Sequence, residues 1–186
     1  SQLPQEPIRA PTPQEASFAS AINVSSKQIC LVNKKGFTSM MLMAAPSAYN
    51  FYRYYIDIAK SLKVLQYAIK NTHYFQMDDY LLPEGHPASF KFLLEKQFFN
   101  QLADFTDKSK IHFLNTGNAD DDSSDSCLNY YSDMVIEYGP DIHVKGQGED
   151  GHWGFHQPGE TFGNSPGILK VNLNIMNKSQ QLRDHP

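Results

Sequence analysis

Between residues 40 and 145, short apolar runs alternate with segments of helical period, and that alternation restricts the chain to layered α/β architectures. Residues 40–43 read as a strand, Ala44-Ala45-Pro46-Ser47 turns the chain, and Tyr52, Tyr55, Ile56, Ala59 and Leu62 then share one helical face. Residues 73–77 form a second strand that delivers Asp78 and Asp79 at its C-terminal end. Pro87, whose missing N–H is not needed at the first helical position, opens a helix carrying Phe90, Leu93, Leu94, Gln97 and Phe98. A third strand at 111–114 leads to the turn Asn115-Thr116-Gly117-Asn118. The Asp/Ser-rich stretch 120–125 reads as a solvated loop and helix start, and the helix buries Cys127, Tyr131, Met134 and Tyr138. A fourth strand at 141–145 enters a glycine-rich loop. The pattern predicts a Rossmann-like, three-layer α/β domain with a mostly parallel sheet. In such sheets ligands bind beyond the carboxyl ends of the strands, where the loops 44–47, 78–79, 115–118 and 146–152 all fall.

With 186 residues, 40% of them apolar, the chain supports one core. Residues 1–25 carry Pro4, Pro7, Pro11 and Pro13 and read as a Pro/Gln-rich arm; residues 26–186 form the domain. A formal net charge of -4 gives no broad positive field, which argues against a nucleic-acid partner. No apolar run has bilayer length, so no membrane association is expected. Cys30 and Cys127 follow neither metal-ligand spacing nor a disulfide framework, and reduced thiols in a cytoplasmic protein are the expectation.

Gly146-x-Gly148-x-x-Gly151 comes directly after a strand and formally matches a dinucleotide fingerprint. Such a site needs a helix opening at the last glycine, yet Gly154, Pro158 and Gly159 would break any helix starting there, and Glu149 and Asp150 would repel a pyrophosphate. The same breakers argue against a helix that would carry His152 and His156 as paired metal ligands. Neither a cofactor nor a metal is therefore expected. Two readings of the loop stay open: it presents Asp150 and His152 into a crevice, with the carboxylate orienting the imidazole, or Asp150 merely caps the turn.

Gly148-Glu149-Asp150-Gly151-His152, with Phe155-His156-Gln157-Pro158 after it, resembles the Gly-x-Asp-Gly-His and Phe-Asn-Glu-Pro loop of glucosamine-6-phosphate deaminases. Met77-Asp78-Asp79-Tyr80 is similar to their Met-Asp-Glu-Tyr, and His86-Pro87-Ala88-Ser89-Phe90 to their His-Pro-x-Ser-Tyr. Asn115-Thr116-Gly117-Asn118-Ala119 resembles their Leu-Asn-Gly-Asn-Ala turn. The likeness covers residues 42–158, and the sister 6-phosphogluconolactonases share the Asp-Gly-His loop without the Met-Asp-Glu-Tyr and His-Pro-x-Ser pair. The resemblance implies aldose–ketose isomerisation of an amino-sugar phosphate with loss of ammonia; a catalytically impaired binding relative and a lactonase-like hydrolase are the alternatives. It makes Asp78 the enolising base, His152 the group that assists ring opening, Asp150 its orienting partner and Gln157 the end of that relay. Ala45, Ser47, Asp79 and Gly148 become the expected substrate contacts. Beyond the sugar phosphate, the implied partner is at most a second copy in a homo-oligomer.

The sequence departs from the family at three places. Ala44-Ala45-Pro46-Ser47-Ala48 replaces a Thr-Gly-Gly-Thr-Pro phosphate loop, so two glycines that let backbone N–H groups approach an anion are lost, and Pro46 has no N–H to offer. Ser47 with Lys145 or Arg183 is the donor set that remains. Gln157 stands where the family has a glutamate, and an amide cannot stabilise an imidazolium by charge. Family members also continue through further strands and helices, so the domain is expected to lack their C-terminal part.

Overall fold

The structure is a computed structural model describing residues 7, 9–114, 123–159, 168 and 171–184, with residues 123–127 described by backbone alone. Its first helix, α1 (Pro13–Lys35), corrects the reading of residues 1–25 as an arm. Pro13 sits in the first turn, where proline is pre-set for a helix, and the Thr12 hydroxyl accepts from the Glu15 N–H at 3.2 Å. Ala21, Ser25, Gln28 and Val32 then recur on the buried side, and Gly36, at φ +85°, ends the helix with its N–H on the Val32 carbonyl. Thr12-Pro13-x-Glu15 was thus a start signal inside a stretch whose prolines suggested a tail.

Strand β1 (Thr38–Leu42) leads into α2 (Pro46–Ser61), and α3 (Lys63–Lys70) comes directly before β2 (Thr72–Gln76). Tyr52, Tyr55, Ile56 and Ala59 are buried as expected, whereas Leu62 is the exposed junction between α2 and α3. Helix α4 (Phe90–Gln97) begins three residues later than the proline suggested, because the Ser89 hydroxyl accepts from the Phe92 N–H and makes Ser89 the N-cap. Two short 3-10 turns precede β3 (Ile111–His112). After α5 (Ser123–Tyr138) come β4 (Ile142–His143) and α6 (Ile175–Asp184).

The four strands form one parallel sheet in the order β3-β2-β1-β4. Pairing of β1 with β2 runs from Thr38 opposite Thr72 to Leu42 opposite Gln76. β3 and β4 are each shorter than the apolar runs that announced them. One face carries the main core, where Met40 and Leu42 meet α1, α2 and α4 through Tyr52, Tyr55, Tyr74, Phe98 and Phe99. On the other face Phe75 and Leu114 pack with Tyr131 of α5, with Met134 and Tyr138 half-buried beside them, so helices flank the sheet on both sides. Gln28 reaches from α1 beneath β2, donating to the Thr72 hydroxyl at 2.8 Å and accepting from Tyr55 Oη at 2.5 Å. Asp141 closes the amino ends of the strands by accepting from Lys35 and Thr38, each at 2.8 Å, and from the Ser39 N–H at 3.2 Å.

On the α5 face, His73 Nδ1 lies 3.1 Å from His112 Nε2, and the Tyr138 ring stacks on His73 at 3.7 Å between centroids. Burial, and next the facing His112, pull His73 down to about 4; burial also lowers His112. The folded state therefore binds fewer protons than the unfolded chain below the ordinary histidine value near 6.5. Stability contributed by this pair is complete above pH 6.5 and is lost as the pH falls towards 4. Thermal melts should show Tm falling across that window, and His73→Phe should flatten the fall; an unaltered slope in the variant would place the acid sensitivity elsewhere.

Candidate active site

Beyond the carboxyl ends of β1, β2 and β4 the chain makes three loops around one cavity of about 230 Å³. After β1, Ala45 is extended, without a side-chain cap, and Pro46 occupies the first turn of α2. The preceding carbonyl, on Met43, accepts from Tyr52 Oη at 2.5 Å, which fixes the loop to α2. Ala45 and Ser47 line the cavity together with Asp78, Gly148 and His152.

After β2 the two adjacent acids part company. Asp78 is half-buried and receives the Phe155 backbone N–H, while its Oδ2, shut off from solvent against the turn at Gly154, has no hydrogen-bond partner. Burial first, and the neighbouring Asp79 charge second, push its carboxyl up to about 7. A Cβ on Gly154 would overlap Asp78 Oδ2, so this glycine, at φ +56°, makes room for the acid. Asp79 differs from its expected role as a substrate contact. Its Oδ1 accepts from the Tyr80 and Phe90 N–H groups, each at 2.8 Å, and its Oδ2 from Lys91 N at 3.1 Å and Gln76 Nε2 at 2.7 Å. Asp79 caps α4, and its oxygens are engaged by the protein itself.

After β4, Asp150 Oδ1 meets His152 Nδ1 in a short contact and also accepts the His152 N–H. These bonds, led by the imidazole, hold the Asp150 carboxyl below the usual range. His152 is buried, and a Cβ on Gly148 would fall inside its ring, so Gly148 is the floor on which the imidazole lies. The turn is closed by paired backbone bonds between Trp153 and His156 at 2.9 and 2.8 Å, and no helix forms between residues 151 and 159. Gln157 departs from the expected relay position: its Nε2 donates to the Asn172 carbonyl at 3.0 Å and its Oε1 accepts from Asn174 N at 2.5 Å, bracing the segment before α6. The turn at 115–118 lies outside the described residues.

Sequence reasoning missed α6. Its fully buried Asn177 donates to the Gly154 carbonyl at 3.3 Å, Gln181 Oε1 accepts from Tyr80 Oη at 3.3 Å, and Arg183 pairs with Glu149 at 3.0 Å. Asp184 thereby reaches the cavity wall. Segment 171–184 has too many polar residues for core periodicity to mark it. A second, largely apolar cavity of about 480 Å³ lies beyond Asp78, lined by Met41, Leu128, Tyr131 and Trp153 among others; Lys145 sits over the Trp153 ring at 3.4 Å. Among the described residues no group of three or more metal-ligating side chains occurs, and no helix is long and apolar enough to cross a membrane.

Over 116 residues, 62% of this chain, the sequence is 36% identical to a glucosamine-6-phosphate deaminase of Phocaeicola vulgatus, and over 110 residues it is 34% identical to one of Staphylococcus aureus. The chain is related to the glucosamine-6-phosphate deaminases. It spans about two fifths of the length of those curated relatives (41% and 42%). No protein-family model matches the chain. A solved monomeric glucosamine-6-phosphate deaminase superposes with a TM-score of 0.78 at 25% identity, covering 95% of this chain and 68% of that one. The 6-phosphogluconolactonase of Trypanosoma brucei matches with a TM-score of 0.63 at 16% identity over 86% of this chain and 65% of its own, a likeness of fold.

Because the folded state favours protonated Asp78, the acid contributes stability that is complete below its unfolded value near 4 and is lost as pH rises through about 7. Asp78→Asn, neutral throughout, should remove this contribution to the fall of Tm between about pH 4 and 7, a gain on the order of a few kcal/mol at pH 8. A variant melting in parallel with the wild type over that range would show that Asp78 is not held in its acid form.

Proposed function

We propose that this cavity carries out the isomerisation chemistry of its relatives on an amino-sugar phosphate: Asp78 moves a proton between C2 and C1 of the open-chain sugar, and ammonia is released. The observation that carries the reading is Asp78, whose Oδ2 is buried without a partner, on the wall of the cavity that His152, itself oriented by Asp150, also lines. A carboxyl poised near neutrality can both accept the C2 proton and return it to C1, which a fully ionised surface carboxylate does poorly. His152, tied through Nδ1, keeps the other ring nitrogen for the ring oxygen of the closed sugar. Ala45, Ser47 and Gly148 form the walls on which the sugar would lie, and Gln157 supports the site from 172–174. Solvent exchange at C2, followed by NMR in deuterated water, tests the assignment. The wild-type rate should rise with pH through a midpoint near 7. Asp78→Asn should lose it by roughly a thousandfold or more with the fold intact; exchange that survives in the variant would exclude Asp78 as the base.

One observation favours a weakened grip on the phosphate. With Pro46 in the first turn of α2, that position presents no N–H, and Ala45 supplies no capping side chain. Of the other donors, Arg183 bonds Glu149 and Lys145 lies on the Trp153 ring, which leaves the Ser47 hydroxyl on the cavity wall. Calorimetric titration with glucosamine 6-phosphate should therefore give weak binding that the double substitution Ala45→Gly with Pro46→Gly tightens about tenfold. Tight binding unchanged by that pair and by Ser47→Ala would place the phosphate away from this loop.

A further inference from the structure

Gln76, the last residue of β2, has its side chain fully inside the protein at 1% exposure, where a polar group persists only if each of its hydrogen-bonding atoms is met. It is met on every side. Nε2 donates to the Asp78 carbonyl at 2.9 Å and to Asp79 Oδ2 at 2.7 Å, and Oε1 accepts from the Leu114 N–H at 3.0 Å. The main-chain carbonyl of Gln76 takes the Tyr131 hydroxyl of α5, and the N–H of the next residue, Met77, bonds the Leu42 carbonyl at 2.8 Å. One side chain thus joins the ends of β2 and β3 to the acid that caps α4, and it does so around the backbone of Asp78.

The set of bonds is chemically selective. Two donors and one acceptor on one short arm are the complement of a primary amide; glutamate offers no donor here and methionine offers neither. Asparagine has the same groups on a side chain one methylene shorter. Bonding the Asp78 carbonyl restrains rotation of that residue, and bonding Asp79 Oδ2 keeps the second carboxylate turned towards α4 instead of towards the cavity.

We infer that Gln76 is a positioning residue for the base: its carboxamide holds the Asp78 backbone and the Asp79 carboxylate so that Asp78, and not Asp79, lines the cavity, with its Oδ2 kept unpartnered against Gly154. The inference rests on Asp78 being the base, but the positioning itself has a readout that needs no turnover.

The test is an NMR titration of the Asp78 carboxyl carbon in the wild type, Gln76→Met and Gln76→Glu, with Tm recorded for each and C2 exchange measured in parallel. The wild-type midpoint should lie near 7. Gln76→Met frees the backbone, lets the carboxylate reach water and should lower the midpoint by about one pH unit or more, with kcat for exchange falling roughly tenfold or more and KM changing less than about threefold. Gln76→Glu sets a second negative charge beside Asp79 and should move the midpoint up by about one unit or more. A purely structural role would lower Tm while leaving the midpoint and kcat of the folded variants at wild-type values, and that result would overturn the inference. Shifted midpoints with no exchange in the wild type would uphold the positioning geometry and defeat the isomerase reading; unshifted midpoints with normal exchange would do the reverse. Should Gln76→Met fail to fold, Gln76→Glu, which retains the acceptor for Leu114, decides by the sign of its shift.

Discussion

Four hydrogen bonds converge on the carboxylate of Asp79, and the division of labour at the candidate site depends on them. Two adjacent acids at a strand end repel each other, and in a shared crevice either could hold the proton. Here the first turn of α4 and the Gln76 amide supply N–H donors to one of the two. Asp79 is thereby turned inward as an acceptor, and its charge adds to the burial that raises the proton affinity of Asp78, whose Oδ2 lies without a donor against Gly154. The same bonds act beside the Ser89 cap where α4 begins, so the start of the helix that carries Phe90 and Leu94 into the core and the surroundings of Asp78 share one acid.

The glycine loop works by the same logic with smaller parts. Gly148 and Gly154 are absences of side chains that allow two functional groups to sit flat against backbone: the His152 ring at the first and the Asp78 carboxyl at the second. A dinucleotide loop uses its glycines for approach to an external anion. This loop uses them for approach to its own imidazole and carboxyl, which explains why a formally matching spacing encodes a different use.

The parallel sheet was legible in the sequence, because strand ends and turn glycines are local signals and the motif order carried the rest; Asp78 and His152 both line one cavity beyond its strands. The illegible parts depend on contacts between segments distant in the chain. Asp79 read as a substrate contact because nothing local says that a carboxylate will cap a helix whose first residue, Phe90, is eleven positions away. Gln157 read as part of a relay, yet its amide is claimed by backbone at 172 and 174, a contact between segments with no shared periodicity. α1 was hidden by prolines that favour extended chain in general but suit the first turn of a helix. Gln76 carried no signal, since a polar residue at the end of an apolar strand usually marks the strand's exit into water.

The electrostatics of the cavity limit how a phosphorylated ligand could be held. Asp78 and Asp184 both reach its wall, His152 is the basic side chain among the described lining residues, and Asp150 already draws on that imidazole. A phosphate drawn towards the N-terminus of α2 gains the favourable end of the helix dipole but meets Pro46 where an N–H would have bonded it. Protonation of Asp78 eases this conflict, because an acid poised near neutrality can admit an anionic sugar in its neutral form. As the proposed base, Asp78 would then have to lose that proton before it could take another from C2. In the proposed reaction the burial that suits Asp78 to proton transfer would therefore also couple anion entry and catalysis to the same ionisation, with opposite dependence on pH.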